Sequence, residues 1–184
     1  MCRAFLSPWY INGGIHKKDK NDRPVFVGRA NIGVVSLNLP MILAKSRREC
    51  TDFYDELDYY LELIKKLHLR TYDYLSQMPA STNPLAYCEG GFYGGHLNLS
   101  DKIEPVIRTF TASFGITALN ELQELYNQKS IAEDGQFALE VMQHINKKID
   151  EFKEETGYLF ALYGKKDCRS KTIKLAKRCL PMAG

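Results

Sequence analysis

The residues of this sequence that could most readily do chemistry are its five cysteines and four histidines, and their spacing narrows the possibilities. No two cysteines have the Cys-x-x-Cys spacing of a zinc or redox site, and the histidines are equally scattered, so the sequence predicts no metal site. An odd number of widely spaced cysteines is typical of a reduced, cytoplasmic chain. A single free cysteine is more often a small buried apolar residue than a catalyst. These residues are Cys2, Cys50, Cys88, Cys168, Cys179, His16, His68, His96 and His144.

Polar groups that follow the predicted strands are the other candidates, because functional residues of parallel sheets gather at the carboxyl ends of strands. They are Asn38, the pair Cys88-Glu89 and the pair Asn120-Glu121. Glycines at positions 90, 91, 94 and 95 follow Cys88-Glu89 without a GxGxxG or Walker pattern, so they do not predict a nucleotide-phosphate loop. Glu89 and His96 are more simply interpreted as a turn residue and a loop residue.

Charge divides the 184 residues into a main body, 1–164, and a basic tail, 165–184. The tail has seven basic residues and one acidic residue, which leaves 18 basic and 21 acidic residues in the body. The body therefore lacks the basic face expected of a nucleic-acid-binding protein, and the tail is most simply a solvated segment. The sequence contains no apolar run of the roughly 20 residues that a membrane helix needs, and its start does not resemble a signal peptide.

The hydrophobic pattern predicts alternating strands and helices, hence one α/β domain whose largely parallel sheet is joined by crossover helices. A polar loop or hairpin tip is predicted over 11–24. The predicted strands are 33–39, a strand end within 83–95, 109–114 and 158–163, and the predicted helices are a segment from about residue 42, about 51–78, 118–126, and one opening at Ser130 and ending at Gly157.

Helix caps and apolar stripes support these boundaries. Thr51 is the predicted N-cap of the long helix, and Ser130 with Glu133 has capping-box spacing. The predicted buried stripe of the long helix is Phe53, Leu57, Tyr60, Leu61, Ile64, Leu67 and Leu75, and that of the last helix is Phe137, Val141, Ile145, Ile149 and Phe152.

Five stretches of the sequence resemble the class III anaerobic ribonucleoside-triphosphate reductase family. They are MCRAFLSPW, GRANIGVVSLNLP, NPLAYCEGGFYGGHLNLSDKI, TASFGITALNELQELYNQKSIAED and FKEETGYLFALYG. The resemblance runs from residue 1 to about 164. It implies part, about half, of the ten-stranded α/β barrel of ribonucleotide reductases and glycyl radical enzymes, beginning at the finger loop inside that barrel.

The same resemblance implies roles for two residues. Cys2, in MCRAFL, matches the finger-loop cysteine of the family, which becomes a thiyl radical, takes the 3′ hydrogen of a ribonucleotide and allows the 2′ hydroxyl to leave as water. Asn31, in GRANIG, matches a family asparagine expected near the ribose of the substrate. Asn120 and Glu121 are weaker candidates. Hydrogen-atom chemistry requires Cys2 to be placed against the sugar and shielded from water, rather than to have a lowered pKa.

No cofactor is expected within this segment itself. In the family, the oxidant is a glycyl radical made by an activating enzyme that uses S-adenosylmethionine and an iron-sulfur cluster. ATP and deoxynucleotides are effectors, a zinc site lies near the C-terminus, and formate or a thioredoxin-type system is the reductant. The implied partners are a ribonucleoside triphosphate, the activating enzyme and a second copy in a homodimer. The implied location is the cytoplasm, with no membrane and no nucleic-acid partner.

The sequence departs from the family at both ends. The glycine before the cysteine is absent, Ala4 replaces a hydroxyl residue, and residues 165–184 resemble nothing in the family. We expect a truncated or frame-shifted reading that is inactive alone. Two alternatives stay open: a glycyl radical enzyme of the pyruvate formate-lyase type, and a non-catalytic remnant whose basic tail binds acidic partners. Unpaired strand edges of a half-barrel also predict self-association.

Overall fold

The structure of the chain, a computed structural model, describes residues 5–164 and consists of a small hairpin followed by an α/β unit. In chain order the strands are β1 (Trp9–Tyr10), β2 (Pro24–Val25), β3 (Asn31–Asn38), β4 (Thr111–Thr117) and β5 (Leu159–Gly164). The helices are α1 (Leu39–Glu49), α2 (Phe53–Ser76), α3 (Pro84–Tyr87), α4 (Glu104–Ile107), α5 (Leu119–Asn127) and α6 (Gln136–Thr156), with a 3₁₀ turn at Ala80–Thr82. Cys2 and the tail 165–184 lie outside the described residues.

The centre of the fold is a three-stranded parallel sheet in the order β3-β4-β5. Val35 of β3 lies opposite Phe114 of β4, which lies opposite Leu162 of β5, and the register shifts once, between Asn31 and Gly33. Helices α1 and α2 lie in the connection from β3 to β4, and α5 and α6 in the connection from β4 to β5. This arrangement confirms the predicted α/β class. The three described strands do not close into a barrel.

The helices pack on one face of this sheet and bury its large side chains. Phe114 is fully buried, with its ring 5.9 Å from that of Phe152 on α6 and 5.6 Å from that of Phe160 on β5. Because side chains alternate along a strand, the neighbours of these residues point to the opposite side. We call that side the far face. Its residues in the middle of the sheet, Ser113, Gly115 and Ala161, have small side chains, and Val34, Ser36 and Tyr163 also lie on it.

The predicted loop over 11–24 is confirmed as the connection of the β1–β2 hairpin. Trp9 pairs with Val25 and Tyr10 with Pro24 in antiparallel register. The buried carboxylate of Asp22 accepts hydrogen bonds from the backbone N–H groups of Asn12 and Lys18, which folds the connection back on itself.

The stripe predicted for α6 is confirmed, since all five of its residues are buried, and Gly157 ends the helix with a φ of 70°. The stripe predicted for α2 is wrong near the C-terminal end of the helix. Leu67 is 48% exposed, whereas His68 and Tyr72 are buried and continue the row that starts at Leu57. That row keeps the helical spacing of three or four residues through polar as well as apolar side chains.

Two predicted helix starts are displaced. Asp52, not Thr51, caps α2 by accepting hydrogen bonds from the N–H groups of Tyr54 and Asp55. Ser130 does contact Glu133, with their Oγ and Oε2 atoms 2.7 Å apart, but this pair closes a turn and α6 begins later, at Gln136. At α2 the adjacent Asp52 caps as well as threonine does and decides the boundary, whereas the N-cap of α6 is Gly135, which makes no side-chain capping hydrogen bond.

The strand end predicted within 83–95 is wrong. Asn83 caps the short helix α3 by accepting from the N–H of Ala86, and a glycine loop follows. A β-carbon on Gly91 or Gly95 would collide with backbone atoms of the Leu85–Ala86 turn, so the loop needs glycine at these positions to fold back so closely. An apolar run of four residues is too short for its period to distinguish a helix from a strand.

The helices of the described region do not include a membrane-spanning one. Across residues 5–164, no helix combines the length and the hydropathy that a membrane span needs.

Candidate functional site

The segment that follows Cys2 in the sequence lies on the far face of the sheet. Phe5, the first described residue, comes three positions after Cys2, and its ring lies 5.9 Å from that of Tyr163 on β5. The carbonyl oxygen of Phe5 accepts a hydrogen bond of 3.3 Å from Nδ2 of Asn31 on β3. The segment therefore contacts both outer strands of the described sheet.

Asn31 connects this segment to the strands. Its Nδ2 also donates to Oγ of Ser113 at 2.6 Å, and its Oδ1 accepts from the N–H of Gly33 at 2.9 Å. Both amide hydrogens are thus used within the fold, while Oδ1 retains one unused lone pair. Asn31 can therefore hold the segment and still accept one further hydrogen bond.

Ser7 fixes the other end of the segment. Its N–H donates to Oγ1 of Thr111 at 3.2 Å, and its hydroxyl donates to the carbonyl oxygen of Phe160. Ser7 and Thr111 are both buried. The backbone and the side chain of Ser7 therefore bind β4 and β5 at the same time.

Arg29 is a functional candidate that the sequence analysis missed. Its Nη1 donates to the carbonyl oxygens of Ser7 at 2.8 Å and Val25 at 2.6 Å, and its Nε donates to that of Thr109 at 2.6 Å. The residue is only 8% exposed, and within residues 5–164 no carboxylate pairs with it and Nη2 has no partner. Burial lowers the pKa of Arg29 to about 10, so it remains charged at neutral pH.

His68 reaches the same strand from the helical side. Its Nε2 lies 3.0 Å from the carbonyl oxygen of Ser113, and its ring lies 5.4 Å from that of Phe114. Burial lowers the pKa of His68, and the acceptor identifies Nε2 as the protonated nitrogen of the neutral ring. Ser113 is consequently bound by His68 through its backbone and by Asn31 through its side chain.

Asn38 and the pair Asn120-Glu121 lie at or beyond the opposite end of the strands from Asn31. Asn38 caps α1 by accepting from the N–H of Met41. Asn120 donates to Glu124 and accepts from the N–H of Ile131, so it organises α5 and the loop after it. Glu121 is exposed on α5. The structure thus does not bring these residues together with Asn31.

The glycine loop contacts the site through a backbone hydrogen bond. The N–H of Tyr93 donates to the carbonyl oxygen of Gly28, directly before Arg29, at 2.7 Å. Cys88 is half-buried and packs against the core, and Glu89 and His96 are exposed. In the part of the chain that the structure describes, no three His, Cys, Asp or Glu side chains are grouped so that they could hold a metal ion.

A cleft lies between β3 and α1, beside the C-terminal half of β3. It has a volume of about 670 Å³ and is lined by residues that include Ser36, Met41, Arg48 and Tyr60. Its lining does not include Asn31 or Phe5. This cleft is therefore separate from the contacts of Phe5 and Asn31 described above.

Comparison with known proteins gives a consistent set of relatives. The sequence model described as anaerobic ribonucleoside-triphosphate reductase matches residues 1–165. Proteins named anaerobic ribonucleoside-triphosphate reductase are similar to this chain in Escherichia coli strain K12, with 29% identity over 171 residues, and in Haemophilus influenzae, with 32% over 168 residues. A protein of the same name from enterobacteria phage T4 is 27% identical over 168 residues.

These matches cover 88% of this chain but only part of each relative. The covered share is 22% of the two bacterial proteins and 25% of the phage protein. The chain thus spans about a fifth to a quarter of the length of the curated relatives that it matches.

Proposed function

The chain belongs to the anaerobic ribonucleoside-triphosphate reductase family, and we propose that it is the part of the catalytic domain that presents a radical-carrying cysteine, Cys2, to a ribonucleoside triphosphate. The relatives are named for that substrate class. Family membership favours this function over that of a glycyl radical enzyme of the pyruvate formate-lyase type.

We propose further that the sheet is part of a ten-stranded barrel whose interior is the far face. Three observations support this: the strands are parallel, the helices pack on one face, and the middle of the other face has small side chains such as Ser113, Gly115 and Ala161. A barrel of parallel strands carries its helices outside, and small interior side chains leave room for a loop and a ligand.

The chemistry assigned to Cys2 is a hydrogen-atom transfer. The Cys2 thiyl radical takes the 3′ hydrogen of the ribose, so that an S–H bond forms and a carbon radical remains on the sugar. The 2′ hydroxyl then leaves as water with one proton. A formate or thioredoxin-type reductant supplies two electrons and a second proton, which together form the new C2′–H bond. Return of the hydrogen from the Cys2 thiol to C3′ restores the thiyl radical. A glycyl radical supplies the initial oxidation of the thiol.

Asn31 has two roles in this proposal. It holds Phe5 through Nδ2, and its Oδ1 has one lone pair that can accept a hydrogen bond from a ribose hydroxyl. An amide is suited to this task because it does not gain or lose a proton during the reaction. The proposal thus places the substrate sugar between Asn31 and the thiol.

The observation that carries the proposal is the position of Phe5. Three residues of extended chain reach at most about 11 Å, and Phe5 is bound on the far face by Asn31 and packed against Tyr163. A Cys2 thiol within that reach of the far face would meet a sugar bound there.

A chimeric enzyme tests the proposal. Residues 1–164 replace the matching region of the Escherichia coli relative, and deoxynucleotide formation is measured anaerobically with the activating enzyme present. We expect Cys2→Ser to lower product formation by at least about a thousandfold, which corresponds to about 4 kcal/mol.

The matched control is Cys88→Ser, a half-buried cysteine of the same chain, which should retain activity. The glycyl radical is quantified by its electron paramagnetic resonance signal in every variant, so that a loss of activity is not confused with a failure of assembly. Full activity of Cys2→Ser at normal radical content would refute the proposal.

A further inference from the structure

We propose that Arg29 and Ser7 form an anchor that fixes the segment Phe5–Ser7 on the sheet and so act as positioning residues for the Cys2 thiol. The claim that the anchor positions Cys2 rests on the proposed function above. The anchor itself depends only on contacts among described residues.

Arg29 gathers three parts of the chain that are far apart in sequence. The carbonyl oxygens it binds belong to Ser7 in the segment, Val25 in β2 and Thr109 just before β4, the last of them 80 residues away from Arg29. A guanidinium has five N–H groups in a rigid plane and can serve several acceptors at fixed angles. One side chain therefore determines where the segment meets both the hairpin and the sheet.

The charge of Arg29 makes this arrangement specific. A buried cation is costly unless it is paired, and among residues 5–164 Arg29 binds only backbone carbonyls. In the described fold, those three carbonyl oxygens stabilise the charge of the guanidinium. Displacing the Ser7 carbonyl would leave the guanidinium with fewer acceptors in a buried place, so the segment resists displacement.

Ser7 completes the anchor from the other side. While its carbonyl oxygen accepts from Arg29, its N–H donates to Thr111 and its hydroxyl donates to Phe160. All three polar groups of Ser7 are thus used, and their partners lie in β4, in β5 and in the loop between β2 and β3. This fixes the backbone at Ser7 in position and direction, and Asn31 holds it again at Phe5.

The consequence concerns Cys2, five residues before Ser7. Hydrogen-atom transfer requires the sulfur and the sugar carbon to be in contact, and a displacement of about 1 Å can lower the rate a hundredfold. A segment held by single weak contacts would not keep that geometry. The anchor provides rigid support next to a residue that must be placed accurately.

Hydrogen–deuterium exchange on the full 184-residue chain under reducing conditions tests the anchor. The variants are Arg29→Lys, which retains the charge but loses the planar set of N–H donors, and Ser7→Ala, which loses the hydroxyl. We expect amide exchange in the peptide covering residues 5–10 to become at least tenfold faster in both variants, while exchange in α2 changes less than twofold.

The matched controls are Arg23→Lys and Ser100→Ala, both at exposed positions. They should leave exchange in the 5–10 peptide unchanged. Unchanged exchange in that peptide in Arg29→Lys and Ser7→Ala would overturn the anchor. Equal acceleration in the 5–10 peptide and in α2 would also overturn it, since Arg29 would then support only the global fold.

A second readout links the anchor to Cys2. The rate of alkylation of Cys2 by iodoacetamide is measured by mass spectrometry and divided by that of the exposed Cys50 in the same molecule. We expect this ratio to shift at least threefold in both anchor variants, towards its value in urea-unfolded chain. An unchanged ratio would show that the anchor ends at Phe5 and does not position Cys2.

These readouts separate the two proposals. If the exchange and alkylation results are as expected but Cys2→Ser retains nucleotide reduction in the chimera, the anchor stands and the proposed function fails. If Cys2→Ser abolishes reduction but the 5–10 peptide is unaffected by Arg29→Lys, the function stands and the anchor fails.

Discussion

Nδ2 of Asn31 and Oγ of Ser113 lie 2.6 Å apart across the β3–β4 pair, next to the single register shift of that pair. A bulge of this kind turns a side chain away from its regular direction. Here the side chain of Asn31 contacts Ser113, although the residue paired with Asn31 across the two strands is Thr111. The same amide then binds Phe5, so the irregular start of β3 and the position of the N-terminal segment are one structural feature.

Replacing Asn31 with alanine should destabilise the chain. The change removes the bonds to Ser113 and Phe5 and leaves the N–H of Gly33 without its acceptor, which we expect to lower the free energy of unfolding by about 1–3 kcal/mol. Urea denaturation measures this change. Asn21→Ala, at an exposed position in the hairpin loop, is the control and should change stability by less than about 0.5 kcal/mol. Equal stability of the two variants would contradict the assigned contacts.

The hydroxyl of Tyr72 is expected to contribute to the junction between α2 and the sheet. It lies 2.9 Å from the carbonyl oxygens of Phe110 and Leu159, and the side chain is fully buried. Tyr72→Phe removes only this hydroxyl and should reduce the free energy of unfolding by about 1–2 kcal/mol. Tyr74→Phe makes the same chemical change at a residue that is 67% exposed and should have little effect. A comparable loss from Tyr74→Phe would count against the junction.

Stability should depend on pH through His68. Burial lowers the pKa of His68 below its usual value of about 6.5, so the folded state favours the neutral ring. The stabilisation from the neutral ring is complete above pH 6.5 and is lost as the pH falls towards the pKa of the folded state, by up to about 1.4 kcal/mol per pH unit. His68→Gln retains a donor for the Ser113 carbonyl but cannot titrate, so its unfolding free energy should fall less between pH 7.5 and 5.5.

Urea denaturation at several pH values checks this expectation. His96→Gln, at an exposed loop position, should retain the pH dependence of the unchanged chain. If His68→Gln and the unchanged chain lose the same free energy of unfolding between the two pH values, the histidine does not act as described.

Self-association should involve the outer edge of β3. In the described sheet β3 pairs only with β4, and Val34 on this strand is 42% exposed. Exposed apolar edge strands pair with other chains, and a lysine on the strand opposes such pairing. Val34→Lys should therefore reduce oligomer formation in sedimentation velocity, whereas Leu99→Lys, at another exposed apolar residue, should not. An unchanged chain that remains monomeric at all concentrations would contradict this prediction.

The long elements of the fold could be predicted from hydrophobic pattern. The stripe from Phe137 to Phe152 identified α6, because burial of one face repeats at helical spacing, and the continuous β-branched run before Pro40 identified β3. Pattern failed at α3, whose four residues make barely one helical turn and so show no repeat. The predicted N-cap of α2, Thr51, was wrong by one residue, because the adjacent Asp52 caps equally well.

Fewer residues of the candidate site could be predicted from the sequence. Arg29 binds backbone carbonyls, which every residue possesses, and no pattern marks Thr109 as its partner. His68 could have been found, because it continues the buried row of α2 at helical spacing from Leu61 and Ile64. Cys2 and Asn31 were predicted from the family resemblance, and their catalytic roles stay predictions.

The most direct test of the central claim follows the hydrogen atom itself. The chimera is incubated with a ribonucleoside triphosphate that carries tritium at the 3′ position, and tritium release into water is measured. The hydrogen held on Cys2 returns to C3′, but a fraction of it exchanges with water through the S–H bond before that return. Abstraction by Cys2 should therefore release some tritium from the unchanged chimera and from Cys88→Ser, and none above background from Cys2→Ser. Tritium release from Cys2→Ser at the rate of the unchanged chimera would contradict the assignment of Cys2 as the residue that takes the hydrogen.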